Sequence, residues 1–265
     1  MATDIVVEDR LQKATIVDRD APVGEFLAPP STPPAVPGKP GAFFDAVRAF
    51  GVAVGPSVVF HALTLGSLPA LLSRRVRRPA SLGVVALAAY WLALRPWHLR
   101  WGATEEEAAG PLPGDEFEPN PAIEMTRAIT IDAPVEAVWP WLAQMGQERG
   151  GFYSYEWLEN LAGCRMRNAE SIHPEWQQRQ VGEEIKLHPA AGLNISLFEP
   201  DRAFGIQHWG TYVLKPCDGG RRTRLLARAR VGRGEAIFYA LCIEIPHFVM
   251  ERAVLLGIKE RAERA

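Results

Sequence analysis

The sequence has few cysteines and almost no net charge. Its three cysteines, Cys164, Cys217 and Cys242, are odd in number and far apart, which fits neither a disulfide framework nor a zinc site. This cysteine content favours a reducing compartment. The formal net charge of −2 provides no field that would attract nucleic acid, and basic residues are not interleaved with aromatic ones. We therefore expect no nucleic-acid partner.

Several motifs of catalysis and cofactor binding are also absent. The sequence has no Gly-x-Ser-x-Gly nucleophile elbow, no Gly-x-Gly-x-x-Gly dinucleotide loop and no phosphate-binding loop. His173 and His188 have no partner at the spacing of metal ligands. We therefore expect neither a metal site nor a bound cofactor.

Residues 1–40 combine mixed charge with a run of prolines. Asp4, Glu8, Asp9 and Arg10 interrupt any apolar core that a signal peptide would need. A segment of this composition buries too little apolar surface to offset the entropy lost on ordering. The sequence predicts a disordered, partly extended arm over residues 1–40.

Two apolar runs follow, and they predict a membrane helical hairpin over residues 41–101. Residues 49–73 contain no Asp, Glu, Lys or Arg, and this run is long enough to cross a hydrocarbon core of about 30 Å as a helix. Residues 79–94 form a shorter run, with three tryptophans near its end that are typical of a membrane interface: Trp91, Trp97 and Trp101. The alternative is a pair of buried core helices in a soluble, cytoplasmic protein.

The basic residues around these runs give conflicting signals about topology. The turn at residues 73–78, SRRVRR, should be cytoplasmic by the positive-inside rule, which would place both ends of the hairpin outside. Arg95 and Arg100 favour the opposite orientation for the second helix. We predict attachment to a membrane, namely the bacterial plasma membrane, with the side of the C-terminal region left open.

The remainder of the chain predicts an α+β domain. Glu105, Glu106, Glu107 and several prolines indicate a solvated linker over residues 102–121, followed by a globular domain over residues 122–265. Alternating apolar residues predict a strand at 123–132 and at least four more between 183 and 231. The stretch at 203–214 is long enough for a bend or a hairpin near Gly210, and Asp218, Gly219 and Gly220 predict a hairpin turn. Between them, helices are expected from residue 134, capped by Asp132, and at 154–161. A long helix at 245–262 ends the chain, so we expect a curved antiparallel sheet around this last helix.

Five segments resemble the SRPBCC superfamily, which includes START-like lipid-transfer domains and proteins similar to polyketide cyclases and dehydrases. They are residues 130–142, TIDAPVEAVWPWL; residues 150–160, GGFYSYEWLEN; residues 247–252, HFVMER; residues 257–261, GIKER; and the lead-in at 95–104. The resemblance covers roughly residues 95–265 and is strongest to a membrane-anchored bacterial subgroup. It implies a helix-grip fold with an apolar cavity between the sheet and the last helix.

The expected ligand of such a cavity is a small hydrophobic molecule, such as a lipid or a polyketide- or isoprenoid-like compound. The membrane lipid itself is the second expected partner. The residues that we expect to line the cavity are Trp139, Tyr153, Tyr155, Trp157, His208, Met250 and Val254. The aromatic residues of 150–160 could form the cavity mouth, or they could plug the end of the sheet as core. His208 should face inward with Ile206 and Tyr212, unless a one-residue shift replaces it with its neighbours.

His247 and Glu251 are the best catalytic candidates, because a spacing of four residues brings them together on a helix. A buried histidine held by a carboxylate could act as a general base in a cyclase or dehydratase reaction. The alternative is a polar pair that only anchors the last helix. Ligand binding is our leading hypothesis, with an enzyme and a protein-interaction module with a collapsed cavity as alternatives. The arginines between 221 and 233 could contact anionic lipid headgroups or simply be solvated.

Overall fold

The computed structural model describes residues 42–70, 77–189 and 191–264 of the chain. The arm predicted over residues 1–40 lies outside these ranges, as do residues 71–76, which hold most of the predicted basic turn. All described residues belong to the compact unit formed by Lys39–Ala265. The boundaries predicted at residues 101 and 121 stay predictions.

Two helical stretches form a hairpin ahead of the sheet. Helix α1 spans Ala42–Ala70, and helix α2 spans Arg77–Ala89. A π-helical turn, Tyr90–Leu94, then leads without interruption into α3, Arg95–Leu99. The second apolar run is therefore longer than the predicted 79–94, because Arg95 continues the helix instead of ending it.

By length and composition alone, one helix among the described residues could cross a membrane, namely Pro79–Leu99. Within the first run, Val54–Ala70 forms a shorter apolar helix. The prediction had ranked the two runs in the opposite order. The presence of two apolar helices is therefore shown, whereas their insertion into a membrane remains a proposal.

Six antiparallel strands form one sheet in the order β1-β6-β5-β4-β3-β2. Their bounds are Ile123–Ile131 for β1, Glu184–His188 for β2, Ala191–Glu199 for β3, Ala203–Ile206 for β4, Gly210–Cys217 for β5 and Arg222–Val231 for β6. Successive side chains of a strand point to opposite faces of the sheet, and one of these faces packs on the main core. The predicted α+β class with an antiparallel sheet is confirmed.

Short helices and one long helix complete the fold. Helix α4 spans Glu105–Ala109, α5 spans Val135–Ala143, and α6 spans Glu156–Leu161. After the sheet, the three-residue α7, Ala236–Phe238, and a second π-helical turn, Tyr239–Ile243, lead into α8, Glu244–Ala262. Asp132 does not cap α5 as predicted, because Pro134 is the N-cap and the Asp132 carboxylate pairs with Arg222 at 2.6 Å.

The inner face of the sheet packs against α5 and α8, which agrees with the predicted helix-grip arrangement. Nearly all side chains at this interface are fully buried, among them Ile131, Leu142, Phe204, Tyr212, Leu225, Leu255 and Ile258. Gly257 of α8 lies so close to the loop before α6 that an added Cβ would be 2.1 Å from the Tyr153 carbonyl oxygen. A larger residue there would push α8 away from this loop.

The outer face of the sheet is covered by residues 103–117, which we call the strap. The strap begins with a capping box, in which Thr104 and Glu107 exchange side-chain and backbone hydrogen bonds. Its Leu112 joins a second, smaller core with Val213 and Leu226 of the sheet. Residues 103–117 are thus packed on the sheet, which corrects the expectation that residues 102–121 are a solvated linker.

Three arginines of β6 hold the strap in place. Arg224 pairs with Glu107 at 2.7 Å, and the buried Arg228 pairs with Asp115 at 2.9 Å. Arg228 also donates to the carbonyl oxygens of Gly110, Glu107 and Ala108. The third, Arg230, pairs with Glu124 of β1 and donates to the Asp115 carbonyl oxygen. Each of these three arginines therefore has a carboxylate partner, and Arg228 and Arg230 also line an open groove at this end of the sheet.

Candidate functional site

The space between the sheet and α8, where the cavity was expected, is filled by side chains. Trp139, Tyr153 and Val254 are all buried members of the main core. The Trp139 ring packs against Phe198 with centroids 5.1 Å apart, and Tyr153 packs edge-on against Trp141 at 5.7 Å. These residues occupy the predicted cavity instead of lining it.

The aromatic segment at 150–160 is divided between core and solvent. Phe152 and Tyr153 are buried, whereas Tyr155 is exposed and Trp157 has 69% of its surface exposed. Met250 is half-buried on α8. Tyr155, Trp157 and Met250 therefore do not pack with Trp139 into a shared interior cluster. The alternative that these aromatic residues belong to the core therefore applies only to Phe152 and Tyr153.

His247 and Glu251 lie in a buried polar network that also contains Arg127 and Tyr239. Arg127 of β1 donates to Glu251 Oε2 at 2.5 Å, and His247 Nε2 lies 3.3 Å from Glu251 Oε1. The other imidazole nitrogen of His247, Nδ1, is hydrogen-bonded to the Tyr239 hydroxyl group. All of these side chains except Tyr239 are at least nine-tenths buried. The network joins α8 to the first strand of the sheet.

The charge of Glu251 is set by its partners. Burial alone would raise the pKa of its carboxyl group, but the adjacent Arg127 guanidinium and His247 outweigh burial and lower this pKa to about 2. Glu251 is therefore ionised throughout the physiological pH range. Because Arg127 neutralises it, Glu251 is held mainly by an ion pair and is only secondarily a partner of His247.

His208 does not face the interior as predicted. It lies in the turn between β4 and β5, in the left-handed region at φ +59°, and its side chain is exposed. The turn shifts the alternation of residues, so the neighbouring Trp209 faces inward. The Trp209 ring lies 4.7 Å from that of His247, and its indole N–H donates to the Tyr212 hydroxyl oxygen at 3.3 Å.

An open groove of about 1,100 Å³ lies at the end of the sheet where β4 turns into β5 and β6 ends. Its apolar and aromatic lining includes Ile195, Ile206, Trp209 and Tyr239, whereas its polar lining includes Asn194, Ser196, Gln207, Thr211, Arg233 and Glu235. Trp209 and Tyr239 belong both to the wall of the groove and to the surroundings of His247. The groove is therefore separated from the buried network by two aromatic side chains.

A second buried ion pair joins the hairpin to α8. Arg95, which directly follows the first π-helical turn, donates to both carboxylate oxygens of Glu244, at 2.9 and 2.8 Å. Glu244 directly follows the second π-helical turn and is fully buried. Tyr90 donates to the same carboxylate at 3.0 Å. His98 links this pair to the first network, since its carbonyl oxygen accepts from Arg127 Nε at 2.9 Å.

The hairpin has polar side chains inside and apolar side chains outside. On α1, one face is buried and carries Ser57, His61, Thr64 and Ser67. These groups donate to carbonyl oxygens, most of them on α1 itself, and Ser57 Oγ reaches Leu241 of the second π-helical turn at 2.7 Å. The outward apolar residues include Val59, Leu63, Leu82, Val85 and Leu92, of which Leu63 is 71% and Leu92 81% exposed.

Sequence reasoning missed the partners that hold these networks together. Arg127 stands on the apolar face of the first strand, between Met125 and Ile129, and a charged residue in that position signals a buried counter-charge. Arg95 interrupts an apolar run in the same way. Such signals indicate that a partner exists, but they do not identify Glu251 or Glu244 as that partner.

The comparisons with known proteins do not add a functional argument. A scan against protein-family models finds no match, and a search of the curated proteins finds no significant match. The solution NMR structure of a protein from Arthrobacter aurescens is 14% identical with a TM-score of 0.30, over 54% of this chain and 88% of that chain. That of a Polyketide_cyc-like protein from Corynebacterium glutamicum is 17% identical with a TM-score of 0.27, over 51% of this chain and 88% of that chain.

Proposed function

We propose that this chain is a membrane-attached helix-grip domain that binds a small amphipathic molecule in the groove at the end of its sheet. A lipid or a polyketide- or isoprenoid-like compound has the required chemistry. The observation that supports this proposal best is the groove itself, which is large enough for such a molecule. Its wall includes Tyr239, which belongs to the same π-helical turn as Leu241, the hydrogen-bond partner of Ser57 in the hairpin. The resemblance to START-like and polyketide cyclase-like domains points in the same direction.

The polarity of the hairpin supports membrane attachment. In water, the exposed leucines and valines of α1 and α2 would form an apolar patch of a size that soluble monomers rarely show. In a bilayer the same residues would face acyl chains, and the buried hydroxyl groups of Ser57 and Thr64 would keep their hydrogen bonds to carbonyl oxygens within the protein. Gly83 fits this reading, because it lies so close to Ser67 that an added Cβ would be 2.6 Å from the Ser67 hydroxyl oxygen. Such small residues permit close helix contacts in membranes.

The lining of the groove favours a ligand with one apolar and one polar part. Trp209, Ile206 and Tyr239 offer an apolar surface, and Asn194, Gln207 and Thr211 offer hydrogen-bonding groups. A purely apolar ligand would leave these polar groups without water or a partner, which costs free energy. The ligand we propose therefore carries oxygen atoms as well as hydrocarbon.

Native mass spectrometry of the full-length protein, extracted in mild detergent from its own host, tests this proposal. We expect a retained small molecule and binding of a fluorescent fatty acid to the purified protein. Gln207→Trp should reduce both, because it fills the groove from an exposed position in its lining. Gln178→Trp, at an exposed position outside the groove, is the control and should bind as the wild type does. Equal binding by both variants would refute the assignment of the groove.

An enzyme of cyclase or dehydratase type is a second candidate, favoured by the position of His247. Its imidazole lies directly behind Trp209, a residue of the groove wall, and is held by Tyr239 and Glu251. If the Trp209 ring moved aside, His247 could exchange a proton with a ligand in the groove. The engagement of Glu251 with Arg127 favours the simpler reading, in which the network anchors α8.

Replacing His247 separates these two readings. If His247 is catalytic, His247→Gln should abolish conversion of the molecule that co-purifies with the protein. The variant should still retain this ligand. Conversion is followed by mass spectrometry of the released compound. Unchanged conversion would remove His247 from the mechanism, and loss of thermal stability without any wild-type conversion would assign the network to anchoring.

A further inference from the structure

The segment that leads from the sheet into α8 is apolar and partly exposed. Residues 236–250, AIFYALCIEIPHFVM, contain one charged residue, Glu244, and Arg95 neutralises it within the fold. Ile237 has 78% of its surface exposed, and Val249 is exposed as well. A continuous helical stretch with so little charge and such exposed apolar side chains is unusual for a water-facing surface.

The same segment packs alongside the hairpin. Ser57 of α1 donates to the Leu241 carbonyl oxygen at 2.7 Å, and the Trp97 ring of α3 contacts Phe248 with centroids 5.6 Å apart. The exposed residues of the segment therefore continue the apolar surface of the hairpin. Farther along α8, Glu260 is exposed, so the change from apolar to polar surface occurs along one helix.

From this continuity we infer that residues 236–250 form a third membrane-contacting element, whose exposed side chains contact the acyl-chain region of a phospholipid bilayer. This inference rests on the membrane attachment proposed above and extends it to the globular domain. Residues 232–235, which connect β6 to this element, line the groove together with Tyr239. The groove thus opens at the bilayer surface, and its ligand is a molecule that resides in the membrane and enters from it.

The charges next to the segment fit this placement. Arg233 and Glu235 are exposed in the connection that precedes Ile237, where a headgroup layer would lie. Toward the other end of the segment, Arg95 pairs with Glu244 and the Trp97 ring packs on Phe248, and the Arg95 guanidinium lies 4.8 Å from the ring of Trp91. Arginine and tryptophan are the residues typical of a membrane interface.

Fluorescence quenching by nitroxide lipids tests the inference on the full chain. Cys164, Cys217 and Cys242 are replaced with alanine, and a single cysteine at position 237, 63 or 260 carries an environment-sensitive fluorophore. The labelled proteins are reconstituted into phosphatidylcholine–phosphatidylglycerol vesicles with the nitroxide on the headgroup or in the acyl chain. Because Ile237, Leu63 and Glu260 are exposed, their labels should leave the thermal unfolding midpoint in detergent unchanged.

We expect acyl-chain nitroxide to quench the labels at 237 and 63 to a similar extent and to leave the label at 260 unquenched. Quenching at 63 without quenching at 237 would overturn this inference and leave the attachment by the hairpin intact. An absence of quenching at both positions would overturn the attachment as well. Quenching at 237 but not at 63 would support lipid contact by this segment and refute insertion of the hairpin.

Discussion

The hairpin and the sheet domain of this protein differ in which side chains they bury. In the sheet domain, Leu225, Tyr212 and Leu255 are inside, and the buried Arg127 and Arg228 are paired with carboxylates. In the hairpin, Ser57, His61 and Thr64 are inside, and leucines and valines are outside. The membrane attachment proposed above would account for this difference, since burial of apolar surface stabilises a fold strongly only when the surroundings are water.

Removing one member of a buried ion pair should have the largest effect on stability. Arg127→Ala leaves the Glu251 carboxylate buried without its main partner, and we expect a loss of about 3–5 kcal/mol in the free energy of unfolding. Thermal unfolding of the full chain in mild detergent measures this loss. Arg222→Ala breaks surface pairs with Asp132 and Asp218 and should lower the free energy of unfolding far less than Arg127→Ala does. Similar costs would mean that the Arg127 site is hydrated.

Leucine truncation should sharpen the contrast between the two regions. Leu225→Ala leaves a cavity in the core and should cost about 2–5 kcal/mol. Leu63→Ala removes an outward side chain of α1, and its cost in detergent should be within about 0.5 kcal/mol. The measurement is the shift of the unfolding midpoint for each variant. A large cost at Leu63 would show that a partner covers the hairpin.

The smallest effect is expected inside the hairpin. Ser57→Ala removes the hydrogen bond to the Leu241 carbonyl oxygen, and we expect a loss of about 0.5–1.5 kcal/mol. Val58→Ala, which alters the adjacent outward residue, should change stability less than this. If Val58→Ala proved the more harmful substitution, the assignment of inner and outer faces of α1 would be wrong.

The sheet could be predicted from the sequence because its signal is local. The alternation at 123–132 and the turn residues Asp218, Gly219 and Gly220 depend on neighbours in the chain, and the strands formed where they predicted them. The long stretch predicted from 203 to 214 divides into β4 and β5 near Gly210, as the prediction allowed. The three-residue turn between them reversed the orientation expected for His208, because one residue of shift exchanges the faces of a strand.

The candidate site was harder to predict because its contacts are distant in the chain. Glu251 was expected to hold His247, four residues away, but its main partner is Arg127, which lies 124 residues earlier. The acidic residues of the strap suggested solvation, since nothing in the local pattern shows that Arg224 and Arg228 face them. In both cases the sequence shows a charged residue, but it does not show which distant residue carries the opposite charge.

The two π-helical turns fix the rotational phase of the helices that follow them. Each turn closes a hydrogen bond over five residues, from Arg95 N–H to Tyr90 and from Glu244 N–H to Tyr239, and so contains one residue more than an α-helix would. That extra residue rotates the next helix by about 100°. Deleting one residue from either turn would therefore swing Arg95 or Glu244 away from its counter-charge. The number of residues in each of these two turns is therefore constrained, so that insertions and deletions there should be harmful even where the side chains themselves can change.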